Sequence, residues 1–220
     1  MKKIFTPVAA GVIFLFISCS TKINSRWQTK TSAPQKYNKI LVLGIMNNKE
    51  TGPRENLEKH IVGDLKFIGY DAVSSFDEYG PKAFALNDEK GIRDRLQKSR
   101  VDAVLTIVLL DKKKERYYVP ARVQYTPYSI YNDRFPSYYQ TMQTRVMTEG
   151  YYEEETKYFL ECNFYKADGK ELLYSAQTTS FQPGSVESLA HQYGRTVILD
   201  MVKHQIFIKL VESSLYQKGF

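Results

Sequence analysis

The stretch VDAVLTIVLL, Val101–Leu110, is apolar on both of its alternations. A strand with no polar face lies inside a sheet that is covered on both sides. Upstream, KILVLGIM (Lys39–Met46) reads the same way. Pro53 then opens a helix whose Leu57, Ile61, Leu65 and Ile68 share one face, closed by Gly69. Tyr70–Ser74 gives a second, short strand, and Asp88 is placed to cap a helix that reaches about Lys98 with Ile92 and Leu96 inward. Strand, helix, strand, helix, strand in this order calls for parallel pairing through right-handed crossovers.

Downstream the pattern changes. Three strand-like runs follow, about Thr144–Glu155, Lys157–Lys166 and Glu171–Phe181, and Asp168-Gly169 between the last two is a two-residue hairpin signal. Pairing across that turn sets Phe164 opposite Leu173 and Tyr165 opposite Leu172. Ser185–Leu210 reads as a long closing helix with a wide apolar face from Val186, Ala190, Tyr193, Val197, Ile198, Met201, Val202 and Ile206. The fold class is therefore α/β: a mixed sheet, parallel at its beginning and antiparallel at its end, with a long C-terminal helix. Residues 39–220 form one domain, carrying a Tyr/Pro-rich insert at 116–139.

The N-terminus carries an address. Lys2 and Lys3, the apolar run Val8–Ile17 and Ser18 before Cys19 have the layout of a secretory signal. The apolar run is far short of the roughly 20 residues that a membrane-crossing helix needs, and no later segment comes close. A cysteine at the cut resembles the lipobox of bacterial lipoproteins. That resemblance implies a signal peptide over 1–18 and a mature chain starting at Cys19, with diacylglycerol on its sulfur and a further acyl chain such as palmitate on its amine. Ser20, Thr21 and Lys22 follow. With no aspartate after Cys19, the resemblance implies the outer membrane, on its periplasmic side. Residues 19–38 are polar and read as a tether; 19 flexible residues after Cys19 would span about 25 Å. Trp27 within them would rest at the membrane interface.

Removing residues 1–18 leaves 202 of the 220, enough for one core. Net charge falls from +7 to +5 as Lys2 and Lys3 leave. In an exported chain this balance suits anionic lipid or cell-wall polymer, and nucleic acid is not an expected partner. With Cys19 lipidated, Cys162 is the only other cysteine, so no intrachain disulfide is expected.

KILVLGIMNN, LEKHIVGDLKFIGYDAV, VDAVLTIVLL, the paired YFLECNFYKADGKELLYSAQ and the closing helix together resemble a family of Gram-negative bacterial lipoproteins. More distantly, the order of strands and helices is similar to the α/β domain of the TolB N-terminus and to the lipoprotein that activates a penicillin-binding protein. These resemblances rest on packing patterns and imply a fold and an address.

Signals for catalysis are sparse. His60, His191 and His204 fall on predicted helices, and Asp200 and His204 share a helix face at a spacing that metals use. Glu153 and Glu155 would lie on one strand face with Glu154 on the other; a paired-carboxylate hydrolase needs a second acidic residue converging from elsewhere, and nothing in the sequence singles one out. Cys162, flanked two residues away by Leu160 and Phe164, reads as core. No metal or other cofactor is expected. The feature that stands apart is the insert Arg116–Tyr139, where Tyr117, Tyr118, Tyr125, Tyr128, Tyr131, Phe135, Tyr138 and Tyr139 alternate with Arg122, Arg134 and three prolines. Prolines at this density forbid a helix or a central strand, and long aromatic connections are commonly functional. Tyrosine and arginine are the residues of protein interfaces, and tyrosine faces also stack on sugar rings. The insert either folds back on the domain or meets a partner, through Tyr117, Tyr118, Tyr125, Tyr128, Tyr131, Arg134, Tyr138 and Tyr139. The sequence thus favours a non-enzymatic binding or adaptor module, anchored at Cys19, for an envelope protein or the cell wall. The alternative is an envelope-polymer hydrolase using carboxylates.

Overall fold

The computed structural model describes residues 21–29, 36–47, 51–81, 84, 88–119, 136, 151–167 and 171–208. The sheet contains β1 (Thr21–Gln28), β2 (Ile40–Ile45), β3 (Ala72–Ser74), β4 (Ala103–Val119), β5 (Tyr151–Lys166) and β6 (Leu172–Phe181). Helical elements among the described residues are α1 (Thr51–Phe67), α2 (Ser75–Tyr79), α3 (Glu89–Lys98) and α4 (Val186–Lys203). Strand order is β1-β6-β5-β4-β2-β3. The β2 strand runs parallel to both β3 and β4, and every other neighbouring pair is antiparallel, which is the mixed arrangement expected from the sequence.

Both faces of the parallel end are covered. Leu57, Ile61 and Leu65 of α1 and Leu189, Tyr193, Val197 and Met201 of α4 pack on Val42, Leu105, Ile107, Leu160, Cys162, Phe164 and Tyr174. On the other face Leu96 of α3 meets Leu41 and Val101, with Ile92 and Val104 beside them. The double-sided apolar pattern of β2 and β4 follows from this. Where α1 crosses α4, Gly194 gives the close approach: a Cβ there would stand 2.6 Å from Asp64 Oδ2 and 3.3 Å from Ile61 Cγ1.

Three helices stop in the same way. A residue with positive φ, Gly69 (99°), Arg100 (55°) or Gln205 (60°), turns the chain. The amide after it returns to the helix, Tyr70 N to Leu65 O, Val101 N to Leu96 O and Ile206 N to Met201 O. In each case the returning side chain is buried. The closing helix therefore ends at Lys203, short of Leu210. Gln205 breaks it so that Ile206 and Phe207 turn under the sheet, with Phe207 against Tyr37, Tyr70 and Phe164.

Three further expectations are corrected. The stretch read as a tether contains β1, an edge strand antiparallel to β6 from Thr21↔Ser180 to Gln28↔Tyr174; six of its eight side chains are polar, and none is fully buried. Trp27 lies six residues along that strand, about 20 Å from Thr21. In β5, one strand of 16 residues replaces the two predicted runs. Tyr165 does face Leu172, but Phe164 faces Tyr174 across a register shift, so Leu173 and Tyr174 are both buried. The Asp168-Gly169 turn lies outside the described residues.

Candidate binding surface

The β2–β4 ladder ends at Ile45↔Val108 and the β5–β6 ladder at Lys157↔Phe181, but β4 and β5 continue together to Val119↔Tyr151. Beyond the sheet they form, among the described residues, a two-stranded ribbon. The residues expected to begin an irregular insert, Arg116, Tyr117, Tyr118 and Val119, are thus strand residues, held by pairing with Glu154, Glu153, Tyr152 and Tyr151. Cys19, Tyr125, Tyr128, Tyr131, Arg134, Tyr138 and Tyr139 lie outside the described residues.

A register shift between Leu109 and Asp111 leaves Leu110 unpaired and half exposed (52 %). Past this bulge the two faces of the ribbon differ in chemistry. On the face continuous with Tyr158, which packs on the helix-covered core, Tyr118 and Tyr152 meet in a tilted pair with centroids 5.3 Å apart. Arg116 lies 4.6 Å over Tyr152 and Lys112 5.1 Å over Tyr158. Lys112, Lys114 and Arg116 against Glu154 give this face a formal charge of +2 (three cations less one anion). The reverse face carries Asp111, Glu115, Glu153 and Glu155 against Lys113 and Lys157, hence −2. There Lys157 Nζ donates to Glu115 at 2.6 Å and lies 3.4 Å from Glu155. The bond to Glu115 raises the lysine's pKa and lowers the carboxylate's. Tyr117 donates its hydroxyl to Glu153 at 3.0 Å, which raises the phenol's pKa.

Tyr117, Tyr118, Tyr151 and Tyr152 are all exposed. The sequence reading omitted Tyr151 and Tyr152; the signal was there, since Tyr-Tyr followed by EEE mirrors KKKER followed by Tyr-Tyr across an antiparallel pair.

The candidate catalytic groups are engaged elsewhere. Asp200 does share the end of α4 with His204, whose Nδ1 lies 2.7 Å from Asp200 O and 3.3 Å from Oδ1. Its carboxylate, however, accepts from Arg26 Nη1 at 3.0 Å and Tyr174 Oη at 2.8 Å, fastening β1 and β6 to α4. His60 and His191 face each other across α1 and α4 with ring centroids 5.9 Å apart; burial, then the neighbouring ring, lowers the pKa of His60. Cys162 is buried, and desolvation pushes its thiol up to about 12. Among the described residues no three His, Cys, Asp or Glu side chains are grouped to hold a metal.

One polar centre was not foreseen. Glu58 is fully buried (0 %) and accepts from Gly44 N (2.8 Å), Arg54 Nε (2.9 Å) and Ser75 Oγ (2.9 Å) on Oε1, and from Ser74 Oγ (2.7 Å) and Phe76 N (2.9 Å) on Oε2. It joins α1 to the ends of β2 and β3 and the start of α2.

Comparison with solved structures finds similarity to the PelC dodecamer from Paraburkholderia phytofirmans, with 9% identity over 86% of this chain and 99% of that one and a TM-score of 0.42. The lipoprotein GNA1162 from Neisseria meningitidis is similar over 76% of this chain and 99% of its own, with 12% identity and a TM-score of 0.42. No family model matches the chain. No curated protein matches it either. At this identity no residue's role is carried across from either neighbour.

Proposed function

We propose that this chain is a lipid-anchored binding module of a Gram-negative envelope, held at Cys19 to the periplasmic side of the outer membrane, with the β4–β5 ribbon as its contact element. The observation that carries this reading is the ribbon itself. An isolated pair of strands is at best marginally stable in water, yet this one extends well past the sheet and exposes four tyrosines on its outer part. Exposed aromatic groups set among arginine and lysine suit a surface that meets an envelope component, whether protein, cell wall or membrane. The carboxylates of Glu58, Asp102 and Asp200 each accept several hydrogen bonds that hold elements of the fold together, which favours binding over the hydrolase alternative.

The test is site-specific photo-crosslinking in native envelopes. A crosslinker at position 118 or 152 is expected to give discrete adducts, whereas one at exposed Arg93 on α3 gives none. Replacing Tyr117, Tyr118, Tyr151 and Tyr152 by serine should abolish the adducts formed from position 114 and move the thermal midpoint by only a few degrees, because the four rings are solvent-exposed. Equal adduct yields from the ribbon and from α3 would refute the assignment.

A further inference from the structure

The course of β1 fixes where an anchor at Cys19 would hold the domain. Thr21 is the first residue of β1, paired with Ser180 and bonded to it through Thr21 Oγ1 and Ser180 Oγ at 2.8 Å. Only Ser20 separates Thr21 from Cys19. Two peptide steps reach at most about 7 Å, so an acylated Cys19 brings the bilayer to that end of the sheet. A flexible tether of residues 19–38 would have left its orientation free.

The ribbon leaves from the same end. Ser180 pairs with Tyr158, and Tyr158 with Lys112, so Thr21, Ser180, Tyr158 and Lys112 form one row across the sheet. Three strand spacings separate the ends of that row, about 14 Å. From Lys113 to Val119 the ribbon runs seven residues past the row, about 23 Å. Sheet twist of about 20–25° per strand carries it obliquely to β1. A ribbon that overhangs the anchoring end by this distance meets the bilayer.

Its chemistry matches what it would meet. The face bearing Lys112, Lys114 and Arg116 has a formal charge of +2 and carries the paired Tyr118 and Tyr152, while all the ribbon's carboxylates but Glu154 are gathered on the reverse. Lysine and arginine near an anionic leaflet are each attracted to it, and tyrosine favours the membrane–water boundary with its ring in the apolar layer and its hydroxyl in the wet one. We infer that the cationic, tyrosine-bearing face of the β4–β5 ribbon rests on the headgroups of the leaflet in which Cys19 is anchored, making a second, non-covalent contact with a phospholipid surface. This rests on the lipid-anchored reading given above. It also accounts for the bulge at Leu110, which brings the cationic side chains onto the same face as Tyr158.

The experiment uses the mature acylated chain reconstituted in vesicles. Cys162 is buried and Cys19 is blocked by its acyl groups, so Lys114→Cys or Lys113→Cys supplies the one reactive thiol for an environment-sensitive fluorophore. In vesicles of phosphatidylethanolamine with phosphatidylglycerol, the label at 114 is expected to be quenched by nitroxide-bearing phospholipid and shielded from aqueous iodide. The label at 113, on the acidic face, is expected to stay open to iodide. Phosphatidylcholine alone should weaken the shielding at 114, and Arg116→Gln should lower the ratio of docked to undocked ribbon about fivefold, the effect of one cation at an anionic surface. Intact mass is read on every sample. A chain without acyl mass that does not float with vesicles would overturn the anchored reading and this inference together. An acylated, vesicle-bound chain whose labels at 113 and 114 are equally open to iodide would overturn the ribbon contact alone. Shielding that develops only when envelope protein is added would assign the face to a protein partner and overturn it likewise.

Discussion

Replacing Glu58 by alanine should be among the most damaging single changes to this fold. The carboxylate is fully buried and accepts five hydrogen bonds. Without it, Arg54 keeps Pro81 O at 2.7 Å and Ser75 Oγ at 3.1 Å, and Phe76 N keeps Ser74 Oγ at 3.1 Å. The Gly44 amide and the Arg54 charge lose their acceptor. Breaking a buried ion pair from one side costs about 3–5 kcal/mol; because Arg54 retains some solvent contact (14 % exposed), the lower half of that range applies. At about 2–4 °C per kcal/mol for a domain of this size, the thermal midpoint should fall by roughly 10 °C. Glu58→Gln keeps the shape. Its amide nitrogen in the place of Oε2 can donate to the Ser74 hydroxyl while Oε1 continues to serve Gly44 and Arg54, but it faces the Phe76 N–H, which keeps only Ser74 Oγ as acceptor. That variant should lose about 1–3 kcal/mol, less than the alanine. Urea and thermal unfolding followed by circular dichroism would measure both, and a double-mutant cycle with Arg54→Ala would isolate the pair. A Glu58→Ala midpoint within about 2 °C of the parent would refute the assignment of Glu58 as the joint between α1, β2, β3 and α2.

Burial between α1 and α4 raises the pKa of Asp64 from 3.8 to about 6, against the opposing effect of Arg195. A raised folded-state value means the fold prefers the protonated acid, so its contribution is full below about pH 4 and is lost as pH rises through 6. Asp64→Asn should therefore flatten the stability profile between about pH 4 and 6 and leave the protein more stable than the parent at pH 7, by about 1–3 kcal/mol; an unchanged slope would count against it. Cys162→Ala should cost on the order of 1 kcal/mol in lost packing, and with its thiol pushed up to about 12 the native protein should resist alkylation; rapid labelling without denaturant would contradict the buried thiol.

What the sequence conveyed was local periodicity. The faces Leu57, Ile61, Leu65 and Ile92, Leu96 and the double-sided strands β2 and β4 were legible, because burial on one or two faces writes a period into adjacent residues. What it concealed depended on distant partners. TKINSRWQ has no apolar stripe; it is a strand because β6 supplies its ladder and Asp200, 174 residues away, receives Arg26. The charged KKKER run has low strand propensity and became strand through the opposite β5, whose glutamates and Lys157 face it. Glu58 looked like any helix residue in an i,i+4 pair with Arg54, since its other four donors lie 14 to 18 residues away in separate elements. The tyrosines were noticed as an aromatic cluster, but which of them share a face could be read only from the register.

Leu110 gives β4 a change of phase. Before it, Leu105 and Ile107 point under the helices; after it, Lys112 and Arg116 take that side, because one unpaired residue has inverted the count. A sequence of period two thus encodes two surfaces independently, with a single residue as the comma between them. Lengthening or shortening the chain at that comma would leave the core text intact while exchanging the meaning of every side chain on the arm.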